Sequence, residues 1–204
     1  MSSAPCRSLK SNAFKGSSGL RSITVDEENA LYDSRDNCNA IIEKRRNMLL
    51  TGCSNTVIPA SVEEIVIWAF CKCKDLTEIS IPSGVTVINM GAFENCTGLK
   101  SVEIPKSVVH IHDCSFGDCT NLSSVTVGGR PVIIDEEVFD HCLALRTLKL
   151  LSDDPNKIYL YDDTFDKDII SDCTLIVPPG TEDIYRMNPI FCQFKDVQAD
   201  DGHQ

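Results

Sequence analysis

Hydrophobic residues return along this chain at one fixed interval. Phe70, Phe93, Phe116 and Phe139 stand 23 residues apart, and so do Cys73, Cys96, Cys119 and Cys142. Leu76, Leu99, Leu122 and Leu145 keep the same step, as do Ile65, Ile88, Ile111 and Ile134, and also Ile79, Val102, Val125 and Leu148. Columns in register over units 58–80, 81–103, 104–126 and 127–149 mark a repeat array or solenoid. Within a unit, Leu76-x-x-Ile79-x-Ile81 ends in period-two alternation, which predicts a half-buried strand. Pro82 stops that strand, and Pro59 and Pro105 do the same in their units. Val62-x-x-Ile65 and Val85-x-x-Ile88 predict a second, shorter extended piece. Ala69-Phe70 and Ala92-Phe93 open a brief helical or irregular turn that carries the cysteine. A single unit has too few apolar residues for a core of its own. Stacking turns them into continuous ladders, with equivalent strands parallel and about 4.8 Å apart.

The rhythm breaks at both ends. Residues 1–24 read as a partial repeat, with Phe14, Ser17, Leu20 and Ile23 in phase with the Phe, Cys, Leu and Ile columns. Residues 25–57 form a long divergent coil, in which 39–42 and 47–50 flank Glu43-Lys44-Arg45-Arg46 and predict a hairpin with a charged turn. The four regular repeats fill 58–149. Residues 150–204 hold a lengthened acidic coil and a last strand over 173–177. A turn at Pro178-Pro179-Gly180 follows, then Thr181 as a helix N-cap. Phe191 and Phe194 then cover the open end as a C-terminal cap, and 199–204 is expected to fray.

Composition narrows the function classes. Over 204 residues, 42% hydrophobic and 24% charged, the chain is ordinary globular material, which excludes wholesale disorder. Its 19 basic and 30 acidic residues give a net charge of −11, and 150–204 alone holds 12 acids against 4 bases. Phosphate binding needs clustered positive charge, so a nucleic-acid partner is not expected. No apolar run approaches a membrane span, and the opening MSSAPCRSLK has no apolar core of signal-peptide type.

The candidate chemistry is mostly structural. The column Cys73, Cys96, Cys119 and Cys142 reads as a buried ladder of small, weakly donating thiols that touch neighbouring backbone carbonyls. Parallel coils point these side chains the same way, which argues against disulfides. Cys71-Lys72-Cys73 and His110-x-His112 would bind zinc only if they met in space. Stacking sets them two coils apart, so Cys71 reads as outward and the imidazoles as surface groups, with no metal site. Asp153, Asp154, Asp162, Asp163, Asp166 and Asp168 lack the EF-hand order and read as a solvated acidic loop. No P-loop, dinucleotide-binding glycine pattern, HExxH or nucleophile elbow is present, so neither an enzyme nor a cofactor is expected.

What remains is surface. The residues between the buried positions of L-x-x-I-x-I face outward along the strands: Thr77, Glu78 and Ser80; Lys100, Ser101 and Glu103; Ser123, Ser124 and Thr126; Arg146, Thr147 and Lys149. This small polar stripe is the expected binding face, and the hairpin region 39–50 is its competitor.

The pattern I-P-x-x-V-x-x-I-x-x-x-A-F-x-x-C-x-x-L-x-x-I-x resembles the BspA-like leucine-rich repeat family, most clearly in 58–80 and 81–103. Ser115 replaces the Ala in the third unit, and Val138 and Gly128-Gly129 depart from the pattern in the fourth. The segment 20–42 resembles the long coil interspersed in such arrays, and LIVPPGTEDIY resembles their usual terminus. The resemblance implies a right-handed leucine-rich repeat superhelix. That is an α/β repeat solenoid, rich in β with short helical turns and a C-terminal cap, built as one domain. It also implies a non-enzymatic interaction protein of a bacterial surface or secreted type. Its partner would be a protein, an extracellular matrix protein such as fibronectin among the candidates. An intracellular, cytoplasmic scaffold of the same fold and a carbohydrate-binding surface protein are the alternatives.

Overall fold

Two places in each unit alternate buried and outward side chains, and all but the one over 79–81 make strands. The computed structural model describes residues 9, 13–17, 19–161 and 163–202. Asp162, much of the first repeat's upstream half and the last two residues of the tail lie outside the described residues. In chain order the strands are β1 (Tyr32–Asp33), β2 (Ile41–Glu43), β3 (Met48–Thr51), β4 (Glu64–Ile65), β5 (Val87–Ile88), β6 (Ser101–Ile104), β7 (His110–Ile111), β8 (Ser124–Val127), β9 (Val132–Ile134), β10 (Thr147–Leu150), β11 (Ile158–Leu160), β12 (Thr174–Val177) and β13 (Asp196–Ala199). Two short helices, α1 (Lys167–Asp172) and α2 (Glu182–Met187), lie towards the C-terminus.

The strands form two sheets rather than one. The first runs β1-β2-β3-β4-β5-β7-β9-β11 and the second β13-β12-β10-β8-β6. In the first, Ile65, Ile88, Ile111 and Ile134 stand opposite one another on parallel strands. In the second, Val102, Val125, Leu148, Leu175 and Val197 do the same. The expected hairpin is present as antiparallel β2 and β3, with β1 antiparallel beside it. The architecture is a leucine-rich repeat solenoid with its core between the two sheets and the phenylalanine turns.

Those turns stack as tightly as the strands. Phe70, Phe93, Phe116 and Phe139 are fully buried, with successive ring centroids 4.9, 5.1 and 5.7 Å apart and nearly parallel planes. The backbone joins in, because Phe70 N donates to Ala92 O at 2.7 Å and Phe93 N to Ser115 O at 2.7 Å. The turns are hydrogen-bonded loops and not helices. Each carries two left-handed residues four apart: Trp68 and Lys72, Gly91 and Asn95, Cys114 and Asp118, Glu137 and His141. A non-glycine residue there costs about 1–2 kcal/mol, so the coil-to-coil hydrogen bonds and ring stacking must hold these turns in place.

The ends differ most from expectation. Phe14, expected in the Phe column, is exposed, and the ladder begins instead against Gly52. A Cβ on Gly52 would lie 2.2 Å from the Phe70 ring, so only glycine lets that ring seat there. At the other end Phe165 extends the ladder 5.3 Å beyond Phe139, and Phe194 closes it edge-on at 5.6 Å. Phe191 and Phe194 are both buried, as a cap requires. Thr181 precedes α2, but its hydroxyl donates to Pro178 O and does not cap the helix. The tail does not fray at its start, since Ala199 ends β13 and Asp200 pairs with Lys149. The strand expected over 79–81 shrinks to a single bridge between Ser80 and Glu103. Its other neighbour would be 54–58, but there Thr56 turns back on Cys53 and Asn39, so no strand templates it.

The buried columns predict where substitutions act. Leu99 is fully buried, and Leu99→Ala should cost about 2–5 kcal/mol of unfolding free energy in denaturant titration. Exposed Lys100→Ala should change it by about 0.5 kcal/mol or less. Equal losses would show that the packing register is wrong.

Candidate functional site

Regular alternation leaves a polar face on the second sheet. Thr77, Glu78, Ser80, Lys100, Ser101, Glu103, Ser123 and Arg146 are exposed, while Ser124, Thr126, Thr147 and Lys149 are half-buried. Glu78, Ser80, Ser101, Glu103 and Thr126 all line an open groove of about 1070 Å³. The opposite end of the stripe is engaged by the C-terminal cap. Lys149 Nζ lies 2.8 Å from Asp200, and Arg146 donates to the carbonyls of Leu143 and Leu145 and lies 3.9 Å from Asp172. The groove therefore sits over the first half of the stripe, beside the lone Ser80–Glu103 bridge.

Sequence reasoning did not single out the rest of its lining. Asn55, Val57, Lys106, Arg130 and Leu151 also border the groove, with Val57 72% exposed. These residues lie just past strand ends, where neighbouring units carry unlike residues, so periodicity gives no signal. Lys106 and Arg130 add positive charge to a groove that already holds two glutamates. The lining runs across several coils, from Glu78 through Ser101 to Arg130 and Leu151, as an extended polypeptide would require. The hairpin stands apart from this groove, on the first sheet.

The cysteine column is a ladder of donors. Cys96 Sγ donates to Phe70 O at 3.1 Å, Cys119 to Phe93 O at 3.2 Å and Cys142 to Phe116 O at 3.2 Å, with a longer contact from Cys73 to Gly52 O at 3.9 Å. Each thiol thus ties its turn to the preceding coil, and the ten cysteines of the described residues are free. Burial pushes the Cys73 and Cys119 thiols up to about 12, and Cys96 and Cys142 upward as well.

The metal expectations are partly redrawn. Cys71 is buried, not outward, and donates to Glu94 at 3.7 Å. The imidazoles are not loose surface groups either. His110 Nε2 lies 2.9 Å from Asp135 Oδ1, and His112 Nδ1 lies 3.0 Å from Asp135 Oδ2. His141 lies 3.1 Å from Asp140 and 3.4 Å from Asp118, and Asp140, His141 and Asp166 also bring their ligand atoms together. The Asp-rich coil is spread over several tasks: Asp153 pairs with Lys157, Asp154 accepts from Asn156 N, and Asp166 accepts from His141 N.

Comparison with known proteins places this geometry. A profile of the BspA type leucine rich repeat region matches residues 47–170 in six copies. A leucine-rich repeat protein from Eubacterium ventriosum ATCC 27560 superposes with a TM-score of 0.65 at 24% identity, over 78% of this chain and 42% of its own. The pneumococcal vaccine antigen PcpA superposes with a TM-score of 0.57 at 15% identity, over 88% of this chain and 50% of its own. The chain spans half or less of the length of these two proteins. No curated protein matches it. Among the described residues no helix is long and apolar enough to cross a membrane.

The thiol ladder carries a prediction with a definite sign. In the fold these thiols stay protonated up to about 12, whereas unfolded cysteines ionise near 9.0. The unfolded chain then binds fewer protons, so stability is full below 9.0 and falls as pH rises beyond it. Denaturant titrations across that range should show the decline, with a shallower slope in Cys119→Ala. In a brief iodoacetamide pulse near neutral pH, exposed Cys192 should be labelled while Cys96, Cys119 and Cys142 stay unmodified. Equal labelling read by mass spectrometry would contradict the buried ladder.

Proposed function

The chain belongs to the BspA-type leucine-rich repeat family, and on that premise we propose that it is a non-enzymatic module that binds a partner protein at a bacterial surface. The observation that carries this reading is the open groove on the polar strand face, bordered by Glu78, Ser80, Ser101 and Glu103. A partner polypeptide lies along these strands, with Glu78 and Glu103 facing its basic groups and Lys106 and Arg130 its acidic ones. The exposed apolar Val57 and Leu151 at the groove edges supply the desolvated contacts that charged pairs alone do not. Matrix proteins, fibronectin among them, are the first partners to examine.

One observation favours a second reading, an intracellular scaffold using the same groove. Free thiols persist most readily in a reducing compartment, and ten are free among the described residues. The carbohydrate reading draws no comparable support, since Trp68 is occupied by Lys15, whose Nζ lies 3.6 Å from the ring centroid.

A binding screen against purified matrix proteins tests the proposal. Saturable binding to at least one should weaken by about tenfold or more in the Glu78→Lys, Glu103→Lys double variant, about 1.4 kcal/mol. Binding that the double variant keeps would assign the site to the hairpin or the acidic coil. Absence of binding to every matrix protein would overturn the adhesive reading and favour the scaffold.

A further inference from the structure

Away from the groove, on the first sheet, the repeat brings two imidazoles and a carboxylate to one point. We propose that His110, His112 and Asp135 form a binding site for a divalent transition ion of borderline softness, zinc in particular. The placement follows from strand geometry. His110 and His112 are two residues apart across buried Ile111, so both side chains leave the sheet on its outer face. On the next coil Ile133 stands opposite His110, and Asp135 lies two residues further on, level with His112 one repeat earlier. His112 therefore meets Asp135 directly and His110 reaches it diagonally.

The donor atoms are already gathered within reach of one ion. Tetrahedral zinc with ligands at about 2.0–2.1 Å holds its donors about 3.3–3.4 Å apart. Here the two imidazole nitrogens lie 2.9 and 3.0 Å from the Asp135 oxygens, and one donor atom from each residue falls within 4.8 Å of the others. The ion would replace the two hydrogen bonds to Asp135, with both nitrogens and a carboxylate oxygen drawn to that common spacing. Each neutral imidazole then carries its proton on the other ring nitrogen, His110 on Nδ1 and His112 on Nε2. The loop after β7 is pinned, because the Ser115 hydroxyl bonds to His112 O and approaches Asn89 O at 3.2 Å. The three side chains are 29, 34 and 16% exposed, so a fourth coordination position is open to water or to a donor from a partner.

Donor type selects the ion. Two imidazoles and one carboxylate suit zinc or another late divalent metal and not calcium or magnesium, which take oxygen ligands throughout. Cys114, two residues after His112, is directed at Glu137 at 3.4 Å and takes no part. The site is independent of the proposed partner groove, and its failure leaves that reading untouched.

Equilibrium dialysis of the full reduced chain against zinc chloride, with cobalt(II) as a spectroscopic stand-in, tests the site. One zinc per chain is expected, with affinity lowered by about tenfold or more in His112→Ala and in Asp135→Ala and unchanged in His141→Ala. The cobalt form should show d–d bands without a thiolate charge-transfer band. Should either variant fold poorly, NMR of the unsubstituted chain decides: the His110 and His112 ring resonances should shift with zinc while those of His141 stay. The inference is overturned by an unsubstituted chain that binds no zinc, by binding that both variants retain, by a thiolate band, or by ring shifts confined to His141.

Discussion

No coil of this protein can bury its own apolar residues, and the whole structure follows from that constraint. To the shared columns, each 23-residue unit supplies one phenylalanine, one cysteine, one leucine and a few other aliphatics. These become a core only when the next unit presents the same residues at the same height. The rings of Phe70 to Phe165 then form one stack, and the thiols of Cys96, Cys119 and Cys142 each bond to a carbonyl on the coil before. Stability in such an array is a matter of interfaces between neighbours. That explains why the turns tolerate left-handed backbone at Trp68, Lys72, Glu137 and His141, which an isolated turn would not hold.

The same register that builds the core decides what the surface offers. Side chains one position away from a buried column line up on the outside, one per coil, whether or not their chemistry matches. On the second sheet this yields a polar stripe and, where the strand over 79–81 loses its outer template, a groove. On the first sheet it sets His112 level with Asp135 and brings His110 within reach of the same carboxylate. Function in this architecture is thus read from vertical neighbours, not from residues adjacent in sequence.

That principle also explains what the sequence revealed and what it hid. The columns, the two strands of the later units, the hairpin and the aromatic cap were readable because each rests on spacing or alternation, which packing enforces. The thiol-to-carbonyl contacts were readable because a small donor at an inward turn has few other partners. The ladder's start was not, since Phe14 keeps only the spacing to Ser17, Leu20 and Ile23 within its unit while Gly52 does the packing, and a glycine leaves no hydrophobic signature. Phe165 escaped because the lengthened coil moves it off the 23-residue step. The meeting of His110 with Asp135 depends on a diagonal contact between coils, which a column-by-column reading does not follow. The groove lining at Lys106 and Arg130 lies beyond the strand ends, where units differ.

A double-mutant cycle on adjacent rings of the phenylalanine ladder tests the central claim most directly. Unfolding free energies of Phe93→Leu, Phe116→Leu and the double variant give the coupling between two rings whose centroids are 5.1 Å apart. Interdependence of neighbouring coils predicts a coupling of about 0.5–1.5 kcal/mol. Additive losses would mean that each coil is held by its own contacts, and would contradict the account.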